Sequence, residues 1–586
     1  MRQWMVAAKK ADFYAIAEKF HVDPVVARII RNREVIGEKN IRIYLGGNLS
    51  DLSDPHQMKD MDRLVEILAQ KIRKQVHIRI IGDYDVDGVT SSHLFLMALR
   101  RVGAKVDVVI PHRIQDGYGL SLHLLQQAKE DGVDTILTCD NGIAAIDEIA
   151  WAKAQKMTVL VTDHHAVPFE EHEGRRTEKK SLADAVVNPH QQDCRYPYKE
   201  LCGAGVAWNV IRVLYENYDM DKREAEDLLD FVAMATVCDV MSLTGENRIL
   251  VKEGLKRIRH TKNIGLQALM QACNVQPENI SAYHFGYVLG PCVNATGRLD
   301  TARHALRLFE TGQETEAEEI ARDLVDLNQE RKELTLQGVE MAKKLCEEGG
   351  YEKDPVLVLF LPDVHESIAG LIAGRIREMY NRPVFVLTRG EEGVKGSGRS
   401  TENYSMYENM CGCAELFTKF GGHPMAAGLS LPEENVEKFR RKINENCPLT
   451  VEEVCPDIHI DMAMPVGYAS TELVHQFALL EPFGKDNPSP LFADRNLSIS
   501  RMWVIGKNRN VLRMSVLSEY GQPVPVIFFG DVETLFAYFT EKFGQEEVEN
   551  ALHGRKNRIL FSMVYTAKVD FYQGNENLQL EMKYYR

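Results

Sequence analysis

Three aspartates, Asp83, Asp85 and Asp87, alternate with Tyr84 and Val86 in "IIGDYDVDGVTSS" (Ile80 to Ser92), directly behind an apolar run. Two further apolar runs end in a similar way. "VDTILTCDNG" reaches Asp140 and "MTVLVTDHH" reaches Asp163, His164 and His165. A later apolar stretch, "FVAMATVCDVMSL", carries Asp239. One aspartate behind a strand is often only a helix cap. Five or more carboxylates and two imidazoles on one edge are a different matter, because close carboxylates resist ionising together. Divalent cations remove that conflict. Oxygen ligands plus imidazole, with no thiolate, suit Mn2+ or Mg2+ better than structural zinc. Six or more ligands suffice for two ions sharing a bridging water. Such a pair activates the water and steadies the leaving oxygen in phosphoester hydrolysis.

These side chains meet only if the runs that carry them lie side by side. "QVHIRIIGDYD", "AKVDVVIPHR", "VDTILTCDNG" and "MTVLVTDHH" read as short strands separated by amphipathic helices such as "VTSSHLFLMALRRVG" and "IAAIDEIAWAKAQ". That alternation predicts an α/β fold with a parallel, doubly wound sheet. Sites in such sheets lie at the carboxyl ends of the strands. The expected division is an N-terminal segment over 1–50, the parallel α/β domain over 51–250, a helical connector over 251–345, a smaller α/β domain over 346–452, and a β-rich barrel or sandwich over 453–586 with the OB-fold as an option. Within the connector, "TEAEEIARDLVDLNQERKELTLQGVEMAKKLCEEG" reads as one long amphipathic helix.

Bulk properties narrow the class. A chain of 586 residues is too long for one core. Its formal charge of −15 makes it a poor default polyanion binder, so a nucleic-acid site requires a local basic patch or metal ions. The 11 cysteines form no CxxC pair, which argues against a zinc ribbon and fits reduced thiols in a cytosolic protein. The first residues lack a signal-peptide core, and no apolar run approaches the ~18 residues of a membrane span.

"GDYDVDG", "CDNG" and "DHH", in this order, resemble the DHH phosphoesterase superfamily. "GSGRS" (Gly396 to Ser400) and "GGHPMAAG" (Gly421 to Gly428) resemble its DHH-associated domain. "PCVNATGRLD" and "LEPFGKDNPSPLF" narrow the likeness to the RecJ branch, whose members are single-strand-specific 5′→3′ DNA exonucleases. Thr296 stands where that branch usually has alanine, and an arginine or lysine is common in that branch near the position of Cys292.

The resemblance implies a dimetal centre held by Asp83, Asp85, Asp87, Asp140, His164 and Asp239, with one or two of the first three set back from the ions. It implies that Asp163 orients a histidine. His165 would face the scissile phosphate, either stabilising charge or delivering a proton. Arg298 becomes the clamp for phosphoryl charge, helped by Asn294. A pocket for a 5′ phosphate would use Arg113, Ser397 and Arg399, with Tyr118 stacking on a base and His423 as a further contact. His365 is a weaker candidate.

The barrel is expected to bind single strands, with Arg501, Trp503, Lys507, Arg509, Arg513, Phe528 and Phe529 interleaved along it. Other expectations from the family are single-stranded DNA as substrate, mononucleotide products, a role in DNA repair and recombination, a single-strand-binding protein and a helicase as partners, and no membrane. A DHH phosphodiesterase of short oligonucleotides or cyclic dinucleotides is the alternative, although such relatives generally lack the extra C-terminal segment. A binding scaffold on an inactive core ranks lower, since the full acidic set is present.

Overall fold

A computed structural model of the chain describes residues 3–586 apart from 114, 115, 117, 118, 173, 174, 391, 392, 451, 452, 455, 456, 507–509 and 573. It separates into two compact units. The first comprises mainly 52–241 and 249–456; the second comprises 3–51, 242–248 and 457–586.

The first unit opens on strand β1 (His77–Ile81), helix α1 (Val86–Arg101) and strands β2 (Lys105–Val109), β3 (Thr135–Cys139), β4 (Thr158–Thr162) and β5 (Ala185–Val187). They form one parallel sheet in the order β2-β1-β3-β4-β5, as the strand–helix alternation predicts. The central strands β1, β3 and β4 are apolar because both faces are covered. Ile81 pairs with Thr138 and Cys139 with Thr162, so the carboxyl ends of β1, β3 and β4 lie level. Helices α2 (Gly203–Asn217) and α3 (Leu229–Cys238) pack against α1.

Helix α1 is buried on nearly every side, and its centre holds an unusual core residue. His93 is 1% exposed and lies between Phe231 and Phe309, with ring centroids 4.5 and 5.8 Å away. Burial pushes its imidazole down to about 3 from an ordinary 6.5. The unfolded chain therefore takes up a proton below pH 6.5 that the folded chain refuses until about 3. Stability from this group is present above 6.5 and falls as the pH drops through that window. In urea unfolding, the stability of the wild type relative to His93→Leu is expected to fall by about 2 kcal/mol between pH 7 and pH 5. A gap unchanged by pH would rule this out.

The rest of the unit includes α4 (Ile264–Ala272), α5 (Gly290–Leu299) and the 35-residue helix α6 (Glu314–Glu348), which is the expected long amphipathic helix. α6 packs against α4 and α5 at one end. At the other it packs against a smaller α/β layer of β6 (Leu357–Phe360), α7 (Glu366–Tyr380), β7 (Val384–Gly390), β8 (Gly393–Arg399), β9 (Lys419–His423) and β10 (Ala426–Leu431). The sheet order is β9-β10-β8-β7-β6, parallel only between β6 and β7.

The second unit is built on β11 (Phe492–Ile505), β12 (Val511–Leu517), β13 (Pro523–Phe529), β14 (Leu560–Tyr572) and β15 (Asn575–Tyr585). The order β11-β12-β13-β15-β14 closes because β14 also pairs with β11. This is the expected small barrel. Phe528 points inward at 7% exposure, whereas Phe529 is 58% exposed. Outside the barrel wall, Arg501 lies 5.8 Å from the Trp503 ring and Trp503 pairs across the sheet with Arg513. Lys507 and Arg509 lie outside the described residues. The N-terminal helices belong to this unit. Val26, Ile29, Ile30 and Tyr44 share a core with Phe492 and Leu480, and Arg33 grips Asp461 through two hydrogen bonds of 2.8 and 3.1 Å. No helix among the described residues is long and apolar enough to cross a membrane.

Candidate metal centre

The level strand ends bring the acidic clusters together. Asp83 follows β1, Asp140 follows β3, and Asp163, His164 and His165 follow β4. Asp239 comes from the C-terminus of α3. Asp85 caps α1, its Oδ1 accepting from the Gly88 N–H at 3.0 Å. Gly88 is required there: a Cβ would sit 2.5 Å from the backbone N and O of Asp83. Asp140 takes the left-handed conformation at φ 62°, which aspartate tolerates better than most residues.

Two features of this arrangement escape sequence reading. Asp87 Oδ2 accepts the Gly203 N–H at 2.5 Å and its Oδ1 accepts the Ala204 N–H at 2.7 Å, so the start of α2 fixes the third aspartate. Asn294 accepts the Val86 N–H through Oδ1 at 3.2 Å and so ties α5 to the start of α1.

Three groups of ligand atoms each fall within 4.8 Å of one another: Asp140, His164 and His165; Asp87, His164 and Asp239; and Asp83, Asp85 and Asp140. His164 Nε2 stands 3.1 Å from Asp140 Oδ1, 3.6 Å from Asp239 Oδ2 and 3.7 Å from Asp87 Oδ2. It is buried and makes no hydrogen bond, and neither does Asp83 Oδ1. Buried polar atoms seldom go without partners. Both are lone-pair donors aimed among carboxylates, which fits a site for divalent cations.

The electrostatics agree. Burial, then the charge of Asp85, raises the Asp83 carboxyl well above its usual value. Burial and Asp87 do the same for Asp140 and, less strongly, burial and Asp87 raise Asp85. Burial lowers His164, keeping the neutral imidazole that a metal needs. Asp163 behaves differently. Burial opposes its charge, yet the His165 ring and backbone donors hold it below the usual range. Its Oδ1 accepts His165 Nδ1 at 2.7 Å and the backbone N–H of His164 and His165 at 2.7 and 3.1 Å; its Oδ2 accepts the Ile143 N–H at 2.8 Å. Burial works against a charged His165, but Asp163 and then Asp239 and Asp87 raise it to about 9.

A cationic cavity of about 470 Å³ also lies within the first unit, lined by Tyr84, Arg113, Ser367, Lys395, Ser397 and Lys419 among others. Arg113 lies over the Tyr84 ring at 4.9 Å. Arg399 donates to Ser397 Oγ at 3.3 Å and to the Gly398 carbonyl at 2.7 Å. Arg298 Nη1 donates to the Ser367 carbonyl at 2.6 Å. Burial, then Arg113, Arg331 and Arg399, push its guanidinium down to about 10. Such crowding of cations favours an anion among them. Tyr84, Lys395 and Lys419 carried no sequence signal of this role beyond their types. His423 is exposed at the β9–β10 hairpin, in the strand whose Lys419, Phe420 and Gly421 line the cavity. His365 caps α7, its Nδ1 2.7 Å from Ser367 Oγ. Tyr118 lies outside the described residues.

Comparison with known proteins places these features in a class. The DHH family N-terminal domain matches residues 77–236, the DHHA1 domain 353–447 and the RecJ OB domain 460–584. "Single-stranded-DNA-specific exonuclease RecJ" of Haemophilus influenzae is 32% identical over 581 residues, covering 96% of each chain. The Bacillus subtilis protein of that name is 33% identical over 512 residues, which are 87% of this chain but 63% of that one. The crystal structure of RecJ in complex with Mn2+ from Thermus thermophilus superposes with a TM-score of 0.81 at 25% identity, covering all of this chain and 79% of that one. The chain belongs to the RecJ family of DHH proteins.

Proposed function

We propose that the protein is a metal-dependent exonuclease that degrades single-stranded DNA to mononucleotides from the 5′ end. The observation that carries this reading is the pair of buried, unbonded donors, Asp83 Oδ1 and His164 Nε2, set among further carboxylates. Asp83, Asp85, Asp87, Asp140, His164 and Asp239 would hold two Mn2+ or Mg2+ ions, whose chemistry there would be water activation and a counter-charge for the leaving oxygen.

The chain's own groups do the rest. Asp163 fixes the His165 ring through Nδ1, so the proton available to a leaving oxygen is the one on Nε2. Arg298 meets charge that builds on the phosphoryl oxygens. Asn294 serves by holding the start of α1 in place. Arg113, Ser397 and Arg399 bind the terminal 5′ phosphate, and the positions of Lys395 and Lys419 extend that role. The barrel binds single strands through Arg501, Trp503 and Arg513 on its wall. Action in DNA repair and recombination in the cytoplasm fits this chemistry. A helicase to open duplex and a single-strand-binding protein to present the strand are the partners it calls for.

The test uses Mn2+ and a long single strand, labelled at its 3′ end and phosphorylated at its 5′ end, beside a duplex control. A ladder shortening from the 5′ end on the single strand alone is expected. Cleavage confined to pieces of a few nucleotides would replace this reading with a short-oligonucleotide phosphodiesterase. Charge-assisted hydrogen bonds contribute about 1.5–3 kcal/mol each. Arg113→Ala and Arg399→Ala are therefore each expected to cost at least ~10-fold in kcat/KM on 5′-phosphorylated strands, with a much smaller loss on 5′-hydroxyl strands.

A further inference from the structure

Away from the metal centre, two thiols face each other. Cys273 caps the C-terminus of α4 and Cys292 lies in the first turn of α5, with 3.8 Å between their sulfurs. Cys292 is buried and Cys273 half-buried. Cys292 Sγ donates to the Val288 carbonyl at 3.3 Å and accepts from Asn328 Nδ2 at 3.3 Å. Asn328 Oδ1 in turn accepts from Arg331 Nε and Nη2 at 3.1 and 2.8 Å. Arg331 is one of the cations that bear on Arg298. A disulfide needs the sulfurs at ~2.05 Å, so the pair has under ~2 Å to close.

We propose that Cys273 and Cys292 form a reversible oxidative switch, in which a hydroperoxide converts the two thiols to a disulfide that shifts α5 and slows the exonuclease. The hydrogen bond with Cys292, and behind it the Lys332 ammonium, hold the Cys273 thiol below its usual value against the opposing effect of burial. Cys273 is thus the attacking sulfur. Its thiolate attacks one peroxide oxygen, the O–O bond breaks, and the departing hydroxide takes a proton to become water. The Cys292 sulfur then attacks the sulfenic acid on Cys273; the S–S bond forms, the S–O bond breaks, and hydroxide leaves with the Cys292 proton as a second water. Two thiols give up two electrons and two protons, and one hydrogen peroxide becomes two waters.

The consequence runs through α5. That helix carries Asn294, which holds the start of α1 beside Asp85 and Asp87, and Arg298. Drawing Cys292 towards α4 moves the first turn of α5, and Asn328 loses its thiol acceptor and with it the fixed position of Arg331. A misplacement near 1 Å is enough to cost up to ~100-fold in rate.

The test treats the reduced full-length protein with hydrogen peroxide, removes the excess with catalase, and maps peptides without reductant. A linked Cys273–Cys292 peptide is expected, with single-strand shortening slowed roughly ten-fold and restored by dithiothreitol. Cys273→Ser is expected to keep its activity through the treatment. No linked peptide, or a linked peptide with unchanged shortening, would overturn the switch. The slowing rests on the proposed nuclease function, but the peptide map and the Mn2+ dependence of the melting temperature do not. If even the reduced protein never shortens DNA, a linked peptide with weakened Mn2+ stabilisation still supports the switch, and unchanged stabilisation overturns it.

Discussion

Asp140→Asn is expected to lower single-strand shortening by roughly a thousand-fold while leaving the metal-free protein at least as stable as the wild type. The two effects have opposite signs for one reason. Asp140 is buried at the end of β3 among Asp83, Asp85, Asp87 and Asp239, and each neighbouring charge raises its carboxyl further. Without cations that charge is a burden, and the amide relieves it. With cations it is a ligand shared by two of the three candidate groups, and its loss removes several kcal/mol of charge stabilisation at the phosphoryl centre. Melting curves with and without Mn2+ separate the two. Saturation at 100 times Kd is expected to stabilise the wild type by about 2.7 kcal/mol and the variant by much less. Equal Mn2+ stabilisation of both proteins would remove Asp140 from the ligand set.

Gly203→Ala is expected to cost roughly 100-fold in activity and 10- to 100-fold in Mn2+ affinity, although residue 203 carries no reactive group. A Cβ at that position would lie 2.6 Å from the Cβ of Asp140 and 2.9 Å from its Cα and Cγ. Neither partner is a flexible side-chain end, so the start of α2 or the end of β3 must move. Either shift takes the Gly203 and Ala204 N–H groups away from the Asp87 carboxylate. Gly205→Ala is the control, because its Cβ would meet only the Leu201 side chain, at 3.3 Å. Kinetics and Mn2+ titration of both variants decide the matter. If Gly203→Ala behaves like Gly205→Ala, the helix start has no part in placing Asp87.

The difference between these two residues marks what the sequence discloses. Asp140 is legible because an apolar strand and the charge behind it are adjacent in the chain, and the strand–helix alternation implies that such ends line up. The long α6 is legible for the same local reason, whereas strand spacing alone leaves a barrel or a sandwich open, because closure depends on β14 pairing with the distant β11. Gly203 is not, since its partner Asp87 lies 116 residues away and a backbone N–H has no side-chain signature. Asn294 beside the arginine motif suggested a phosphate contact, and only packing of α5 on α1 reveals its bond to Val86. The final barrel strand, β15, begins Asn-Glu-Asn, and the alternation of Leu578, Leu580 and Met582 with polar residues shows only in its second half. Nor does anything in the first fifty residues announce the barrel as their partner, because Arg33 and Asp461 are 428 positions apart.

That last separation has a bearing on how the chain is made. The helices at 13–20, 24–32 and 38–46 leave the ribosome about 400 residues before the stretch that completes their core. At roughly 5–20 residues per second, they wait about 20 to 80 seconds with Val26, Ile29 and Ile30 uncovered. Throughout that interval the nascent chain presents an unfinished apolar surface to whatever surrounds it, and its first segment is among the last to find its fold.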